Sequence, residues 1–417
     1  MWANFVSQRG DEVRRMSALR RVTFVIGAHW FAGPTIFLRR ACESLPRFGW
    51  SPHLILTGGR DSNAIDVRTW PAPVTRIGPF YSYGKMGRLT AEAIRATAPE
   101  IVVGSCGHAT VLAMQTLYHE GEFRIRLLEM LHADIESEFA RLGQISPVVT
   151  AACGISDAMV GEMERRVPIL SGRVFRWYCP VPCPADPPSR AHEPRALRLI
   201  YSGRVVQEEK RALDLVSIAQ KLIERRIDFH LTVAGDGPEL AELKSRVQQI
   251  GAAEHCSFPG WVNSTTLQAI LREQDVFLMT SSAESMGLAL LEAMAHGVVP
   301  VVTNLPGPSE VVREDTGYRV PVGDTEGFAQ AIECIAEGRV PLEQMRSACW
   351  RLVRAHYSIE AAMASYAAML EDVARLPLPD WHGLHRLIYP RRKMDRFRIP
   401  QAIQDFKRRT LRQELWP

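Results

Sequence analysis

The sequence predicts an α/β protein built from two doubly wound parallel sheets, and three observations carry that expectation. Short apolar runs alternate with helical patterns from residue 21 onward, the signature of strand–helix–strand units rather than of hairpins. Six prolines between 180 and 194 (Pro180, Pro182, Pro184, Pro187, Pro188 and Pro194) interrupt this alternation, and a second alternating series begins at Leu197. At 417 residues the chain also exceeds what one hydrophobic core usually serves.

The opening strand is Arg21-Val22-Thr23-Phe24-Val25-Ile26-Gly27, followed by the turn Ala32-Gly33-Pro34 and a helix over 36–48. Apolar runs at 53–57, 101–103, 125–131 and 148–151 read as buried strands, with a helical pattern over 85–97 among them. The second series opens with a strand over 197–201 and runs to about 322. Within it, Asp275-Val276-Phe277-Leu278-Met279 is a strand that enters the polar turn Thr280-Ser281-Ser282-Ala283. Gly287 then opens a helix with Leu288, Leu291 and Met294 at helical spacing, Gly297 ends it, and a strand over 298–302 follows. Helical patterns over 325–337, 343–355 and 359–375 close the folded body. The expected divisions are an extension 1–20, a first domain 21–182, a linker 183–196, a second domain 197–355, C-terminal helices 356–385 and a tail 386–417.

Composition narrows the classes. A chain that is 46% hydrophobic and 23% charged is an ordinary globular protein. No apolar run approaches the roughly 18 residues of a spanning helix. Residues 1–20 carry Arg9, Arg14, Arg15 and Arg20 and lack the apolar core of a secretory leader; Met16 is a second candidate start. Eight cysteines dispersed over this length read as free thiols in a reducing cytosol, and Cys179 and Cys183 lack a second ligand pair for zinc. The net charge of +4 is too small to argue for a nucleic-acid partner. Its distribution is uneven: the tail from Arg386 holds ten Lys or Arg against Asp395, Asp405 and Glu414, so the rest of the chain is about −3. Ile403, Phe406, Leu411, Leu415 and Trp416 interleave those bases. Such an end suits peripheral contact with an anionic membrane surface, or a solvated helix packed on the first domain.

The chemistry concentrates between Asp275 and Val302. A strand–loop–helix–strand unit of this kind binds phosphates at the carboxyl ends of parallel strands. Here it also carries two acids, Glu284 in the loop and Glu292 inside the helix. Two carboxylates suit the hydroxyls of a sugar better than bare phosphate, which points to a nucleotide sugar. The backbone N–H groups of Ser285, Met286, Gly287 and Leu288 stand at the helix start, where unpaired donors and the helix dipole favour an anion. Arg204 and Lys210 come just past a strand end, where two cations would stabilise the charge on a departing diphosphate. Glu292 is flanked by Leu290, Leu291, Ala293 and Met294, so partial burial is expected, and a buried carboxylate requires partners.

The stretch from Glu284 to Glu292 resembles the Glu-x7-Glu motif of retaining glycosyltransferases with the GT-B fold, specifically glycosyltransferase family 4. Tyr201-Ser202-Gly203-Arg204 with Lys210 resembles that family's Gly-Arg…Lys element. Leu231-Thr232-Val233-Ala234-Gly235-Asp236-Gly237-Pro238-Glu239-Leu240 is similar to its next strand–turn–helix signature, and Phe258-Pro259-Gly260-Trp261-Val262 to its short strand beside the nucleotide base. These motifs cover most of 197–320 in the family's order.

The resemblance implies two Rossmann-like domains facing across a cleft, the second binding the donor, the first the acceptor, and the last helix crossing back. It implies that Arg204 and Lys210 bind diphosphate, Glu292 the ribose hydroxyls, and that Glu284 faces the transferred sugar, with Trp261 and Val262 beside the base. His132, in Leu131-His132-Ala133-Asp134, matches the position where family members place a histidine against the donor sugar; a satisfied structural histidine is the alternative. His29 and His108 are further lining candidates. The chain departs from the family at His29-Trp30-Phe31-Ala32-Gly33-Pro34, where only Gly33 remains of the adjacent glycines and Pro34 removes an N–H. The usual Asn-Gly at the end of the first domain is replaced by Cys179-Pro180-Val181-Pro182.

No Asp-x-Asp follows a strand as a metal–diphosphate clamp, and metal-independent catalysis fits the resemblance. The expected activity is retaining transfer of a hexose from a nucleotide diphosphate sugar, with no cofactor. The acceptor is a glycan or lipid-linked molecule of cell-surface polysaccharide or glycolipid synthesis, handled in the cytoplasm or at the inner face of the membrane. A nucleotide-sugar epimerase and a non-catalytic nucleotide-sugar-binding scaffold of the same fold are the rival readings.

Overall fold

Val22, Phe24, Val25 and Ile26 are all buried, so the first strand is covered on both faces, as strands in a parallel sheet flanked by helices are. The computed structural model describes residues 19–27, 33–57, 67–78, 83–105, 107–121, 124–133, 136–188 and 196–378. They divide into two units, one of residues 19–180 with 360–378 and one of residues 181–359.

The sheet of the first unit contains β1 (Arg20–Gly27), β2 (Trp50–Thr57), β3 (Val74–Ile77), β4 (Ile101–Gly104), β5 (Arg126–Met130), β6 (Ala151–Gly154) and β7 (Val174–Arg176). Their spatial order is β3-β2-β1-β4-β5-β6-β7, and every pairing is parallel. The crossovers include α1 (Gly33–Ser44), α2 (Tyr83–Thr97), α3 (His108–His119), α4 (Glu136–Ile145) and α5 (Asp157–Arg166). Strand order reverses between β1 and β4, the topological switch at which such sheets bind ligands. The C-terminal helix Ile359–Arg375 packs into this unit. Tyr366 meets Phe37 edge to face with ring centroids 5.1 Å apart, Glu371 pairs with Arg20, and Arg126 donates to the Leu376 carbonyl at 3.0 Å.

The second unit holds β8 (Leu197–Ser202), β9 (Phe229–Ala234), β10 (Cys256–Gly260), β11 (Val276–Met279), β12 (Val299–Thr303) and β13 (Tyr318–Val320). Their order is β10-β9-β8-β11-β12-β13, again wholly parallel. Leu199, Phe229, Leu231, Val276, Leu278 and Phe328 anchor its core. Below the sheet, the Arg346 guanidinium donates to Asp275 at 2.6 Å, and the other Asp275 oxygen accepts the Arg198 N–H at 2.8 Å; both side chains are buried.

Two sequence expectations shift. The strand expected over 148–151 lies at Ala151–Gly154, because Pro147 initiates a 3-10 turn over Ser146–Val148 before the chain can extend. The proline-rich run is held in place over its described part. The Val181 N–H donates to the Tyr357 carbonyl, its carbonyl accepts from Ile359, and the Trp350 indole donates to the Pro184 carbonyl, so residues 181–188 pack with the second unit. The extension 1–18, the turn residues His29, Trp30 and Phe31, and the tail 386–417 lie outside the described residues. Among the described residues no helix is long and apolar enough to cross a membrane.

Candidate functional site

Parallel pairing puts every strand's carboxyl end on the same edge of the second unit, so the segments after β8, β9, β10, β11 and β12 meet there. After β8, Gly203 leads to Arg204, and the Tyr201 hydroxyl donates to the Arg204 carbonyl at 2.6 Å. The Gly235-Asp236-Gly237 turn lies directly on this segment. A Cβ on Gly235 would stand 1.8 Å from the Gly203 carbonyl oxygen, and one on Gly237 2.1 Å from that of Val205. Only glycine permits so close an approach, and through it the turn fixes the path of the backbone that presents Arg204. Lys210 ends the short helix α6 (Gln207–Lys210).

The loop after β11 is stitched to that helix. The Thr280 hydroxyl donates to the carbonyls of Lys210 and Arg211, at 2.8 and 3.1 Å. The Ser282 hydroxyl donates to the Glu208 carbonyl at 3.0 Å, and the Ser282 N–H to that of Glu209 at 2.9 Å. From the next strand, buried Thr303 donates to the Ser281 carbonyl at 2.7 Å. The outcome is that Glu284 meets Lys210 at 2.5 Å, with both side chains 19% exposed. Arg204, more open to solvent, pairs with Glu209.

The helix following the loop, α7 (Leu288–Ala295), is capped by Gly287 at φ 88°, a left-handed conformation that favours glycine. Ser285 and Met286 thus precede the helix, Met286 is buried, and the helix itself starts at Leu288. Glu292 is half-buried beside fully buried Leu290, Leu291, Ala293 and Met294, as its flanks predicted. Gly307, at the start of Pro306–Val311, presses on the loop from the far side: a Cβ there would stand 1.7 Å from the Ser285 carbonyl oxygen. Thr280, Ser282, Thr303 and Gly307 were not singled out by sequence reasoning. The polar run after the strand and the Pro306-Gly307-Pro308 sequence were the available signals.

At the end of β10, Trp261 is 38% exposed, a large aromatic face open to solvent, and Val262 beside it is half-buried. β10 and β11 are three strand steps apart, about 14 Å at the usual spacing. Trp261 and the Glu284 loop therefore suit the two ends of an extended ligand. A separate cavity of about 500 Å³, lined by Glu314, Asp315, Tyr318, Arg319, Gln344 and Arg351 among others, opens at the amino end of β13, away from all of these residues.

In the first unit, His132 lies just past β5. Its ring stands edge to face against buried Trp177, with centroids 5.8 Å apart at 78°. Part of the residue reaches solvent, yet the surrounding protein desolvates the ring and lowers its pKa from 6.5 to about 4. At neutral pH the imidazole is therefore uncharged and acts as a hydrogen-bonding group rather than a cation. Gly33 is the first residue of α1, and His108 the first of α3; the neighbours that would complete the β1 turn lie outside the described residues. Among the described residues no group of three or more His, Cys, Asp or Glu is placed to hold a metal ion.

Residues 196–337 match the family described as glycosyl transferases group 1. The N-acetyl-alpha-D-glucosaminyl L-malate synthase of Bacillus anthracis is 33% identical over 168 residues, 40% of this chain and 43% of that protein. The lipopolysaccharide core biosynthesis glycosyltransferase LpsE of Rhizobium meliloti is 30% identical over 200 residues, 42% of this chain and 58% of its own. The chain spans about half the length of the curated relatives it matches. A solved glycosyltransferase from Rickettsia africae superposes with a TM-score of 0.71 over 86% of this chain and 99% of that one, at 15% identity. HepE of Anabaena, solved in complex with UDP, gives 0.69 over 85% and 100%, at 14% identity. Two wholly parallel α/β sheets and these neighbours define a GT-B fold.

Proposed function

We propose, from the membership of residues 196–337 in the glycosyl transferases group 1 family, that this chain moves a sugar from a nucleotide diphosphate donor to a glycan or lipid-linked acceptor. The observation that carries the reading is the gathering of Arg204, Lys210, Glu284 and the Gly287-capped helix start on one sheet edge, with Glu292 within that helix. The named activity of LpsE, in lipopolysaccharide core biosynthesis, supports a role in cell-surface polysaccharide or glycolipid assembly.

In this reading the diphosphate sits on the start of α7 and is held by Arg204 and Lys210. Glu292 accepts hydrogen bonds from the ribose hydroxyls, Trp261 and Val262 flank the base, and Glu284 and His132 contact the transferred hexose. The bond from the anomeric carbon to the bridging phosphate oxygen breaks, and its electron pair stays on the diphosphate. The acceptor hydroxyl attacks the same face, with retention, and its proton passes to the departing phosphate oxygen. Arg204 and Lys210 stabilise the charge as it develops, without a metal ion or other cofactor. The described cysteines are all free thiols, which suits a cytoplasmic setting. The basic residues after Arg386 would bring the enzyme to the inner face of the membrane; unchanged sedimentation with anionic liposomes after truncation at 385 would remove that part of the reading.

The test is incubation of the purified chain with a panel of labelled nucleotide sugars. Slow hydrolysis, or transfer to an added acceptor, is expected for one of them. Interconversion of the sugar would indicate an epimerase, and binding without turnover a scaffold; either result would sink the transferase reading.

A further inference from the structure

Glu138 is a buried acid with no part in the chemistry above. It is the third residue of α4, and its Oε2 accepts the N–H groups of His132 and Ala133, each at 3.2 Å. The reason lies in how β5 ends. The Leu131 N–H still finds the Cys153 carbonyl of the neighbouring strand at 2.9 Å, but the next two amides turn away from the sheet. A buried amide left without a partner costs on the order of 1–3 kcal/mol, and one carboxylate oxygen satisfies both.

A carboxylate is a costly choice for that task. Burial pushes the Glu138 carboxyl above its ordinary pKa, against the opposing pull of the two amides and of Arg141. A neutral acceptor would satisfy the same N–H groups without a desolvated charge. What the carboxylate adds is stiffness, since charge-assisted bonds are roughly twice as strong as neutral ones. The His132 ring is thereby constrained from two directions, by its own backbone held on Glu138 and by the Trp177 indole beside it.

We propose that Glu138 is the positioning residue of His132, fixing the direction in which the imidazole is presented to the donor sugar through its hold on the His132 and Ala133 amides. The inference rests on the role given to His132 above, and its test has one arm that does not depend on turnover. In the full chain, Glu138→Ala should move the His132 ring resonances and their titration midpoint, and Glu138→Gln, which keeps an oxygen acceptor, should return them toward wild type. With the donor identified, Glu138→Ala should lower kcat about 10- to 100-fold with the donor KM changed less than about threefold, since small misplacements of a reacting group carry penalties of that size. In a His132→Ala background the same change should remove little further activity. Unmoved His132 resonances in a folded Glu138→Ala protein would overturn the proposal whatever the turnover. An equal loss of kcat with and without His132 would overturn it as well. Should the alanine variant not fold, Glu138→Asp, one methylene too short to reach both amides, takes its place in every comparison. If the wild type turns over no nucleotide sugar, the transferase reading fails and the resonance comparison still decides the place of Glu138.

Discussion

Lys210 Nζ lies 2.5 Å from a Glu284 oxygen, 74 residues away in sequence, and the two shield each other from solvent. The pairing follows from the hydroxyls of Thr280 and Ser282, which tie the β11 loop to the carbonyls of 208–211. In the proposed reading a diphosphate oxygen would have to take the place of Glu284 beside the ammonium group, and Arg204 is likewise paired with an acid, Glu209.

Removing the internal competitor should favour the anionic part of the ligand. Glu284→Gln is expected to tighten binding of a nucleoside diphosphate lacking the sugar by roughly fivefold, the equivalent of about 1 kcal/mol for a partly shielded ion pair. Its transfer rate should nevertheless fall, because the carboxylate proposed to contact the transferred sugar is gone. Calorimetric titration with the cognate diphosphate checks the first expectation; weaker binding in the variant would contradict the competition.

Lys210→Ala and Glu292→Ala should each lower turnover by about 10²–10³-fold, the range for losing one preorganised electrostatic contact in a transition state. Neither residue belongs to the buried core, so both variants should keep the wild-type circular dichroism. Wild-type activity in either folded variant would break the assignment of this edge to the donor.

The strand–loop–helix unit around Glu284 was legible in the sequence because its constraints are local. A strand, a turn, a glycine and a helix with two acids eight residues apart fit in one short window, and the Gly287 cap and half-buried Glu292 follow from that window alone. What escaped is long-range. Pro306-Gly307-Pro308 marks a turn but not that its glycine packs on the Ser285 carbonyl, and nothing near Glu138 announces that it receives two amides from the end of β5. The strand at Ala151–Gly154 was displaced for a related reason: apolar Val148 and Val149 fit a strand as well as a buried turn, and Pro147 decides for the turn.

Gly307→Ala tests that packing. The added methyl would overlap a backbone oxygen, which cannot rotate away as a side chain can, so the Ser285 segment must shift. A destabilisation of about 1–3 kcal/mol is expected, as for other overpacked sites, accompanied by weaker donor binding. Denaturant unfolding and a donor titration measure the two effects. An unchanged affinity would mean that the loop tolerates the shift and does not set the site.

Asp275 and Arg346 are buried at the opposite end of the same unit, where Asp275 also caps the Arg198 amide. Asp275→Ala should cost about 3–5 kcal/mol, since it leaves the buried guanidinium with only the half-exposed Glu343 carboxylate beside it. Arg346→Met leaves an acid that still receives an N–H, and should cost less. Equal losses in the two variants, measured by denaturant unfolding, would show that the amide contact matters little.

The His132 ring gives the first unit a pH dependence of defined sign. Its pKa is lowered from 6.5 to about 4, so between those values the unfolded chain binds a proton that the folded chain does not. The contribution is fully present above pH 6.5 and is lost as the pH falls toward about 4, to a limit on the order of 3 kcal/mol. Glu138, whose pKa burial raises, acts in the opposite sense and gains as the pH falls, so the total curve mixes the two. The difference between wild type and His132→Gln isolates the histidine. That difference should narrow steadily from pH 7 to pH 4.5 in unfolding experiments, because the variant lacks the group whose protonation opposes folding. A constant difference would mean that the ring is hydrated in solution and that folding does not lower its pKa.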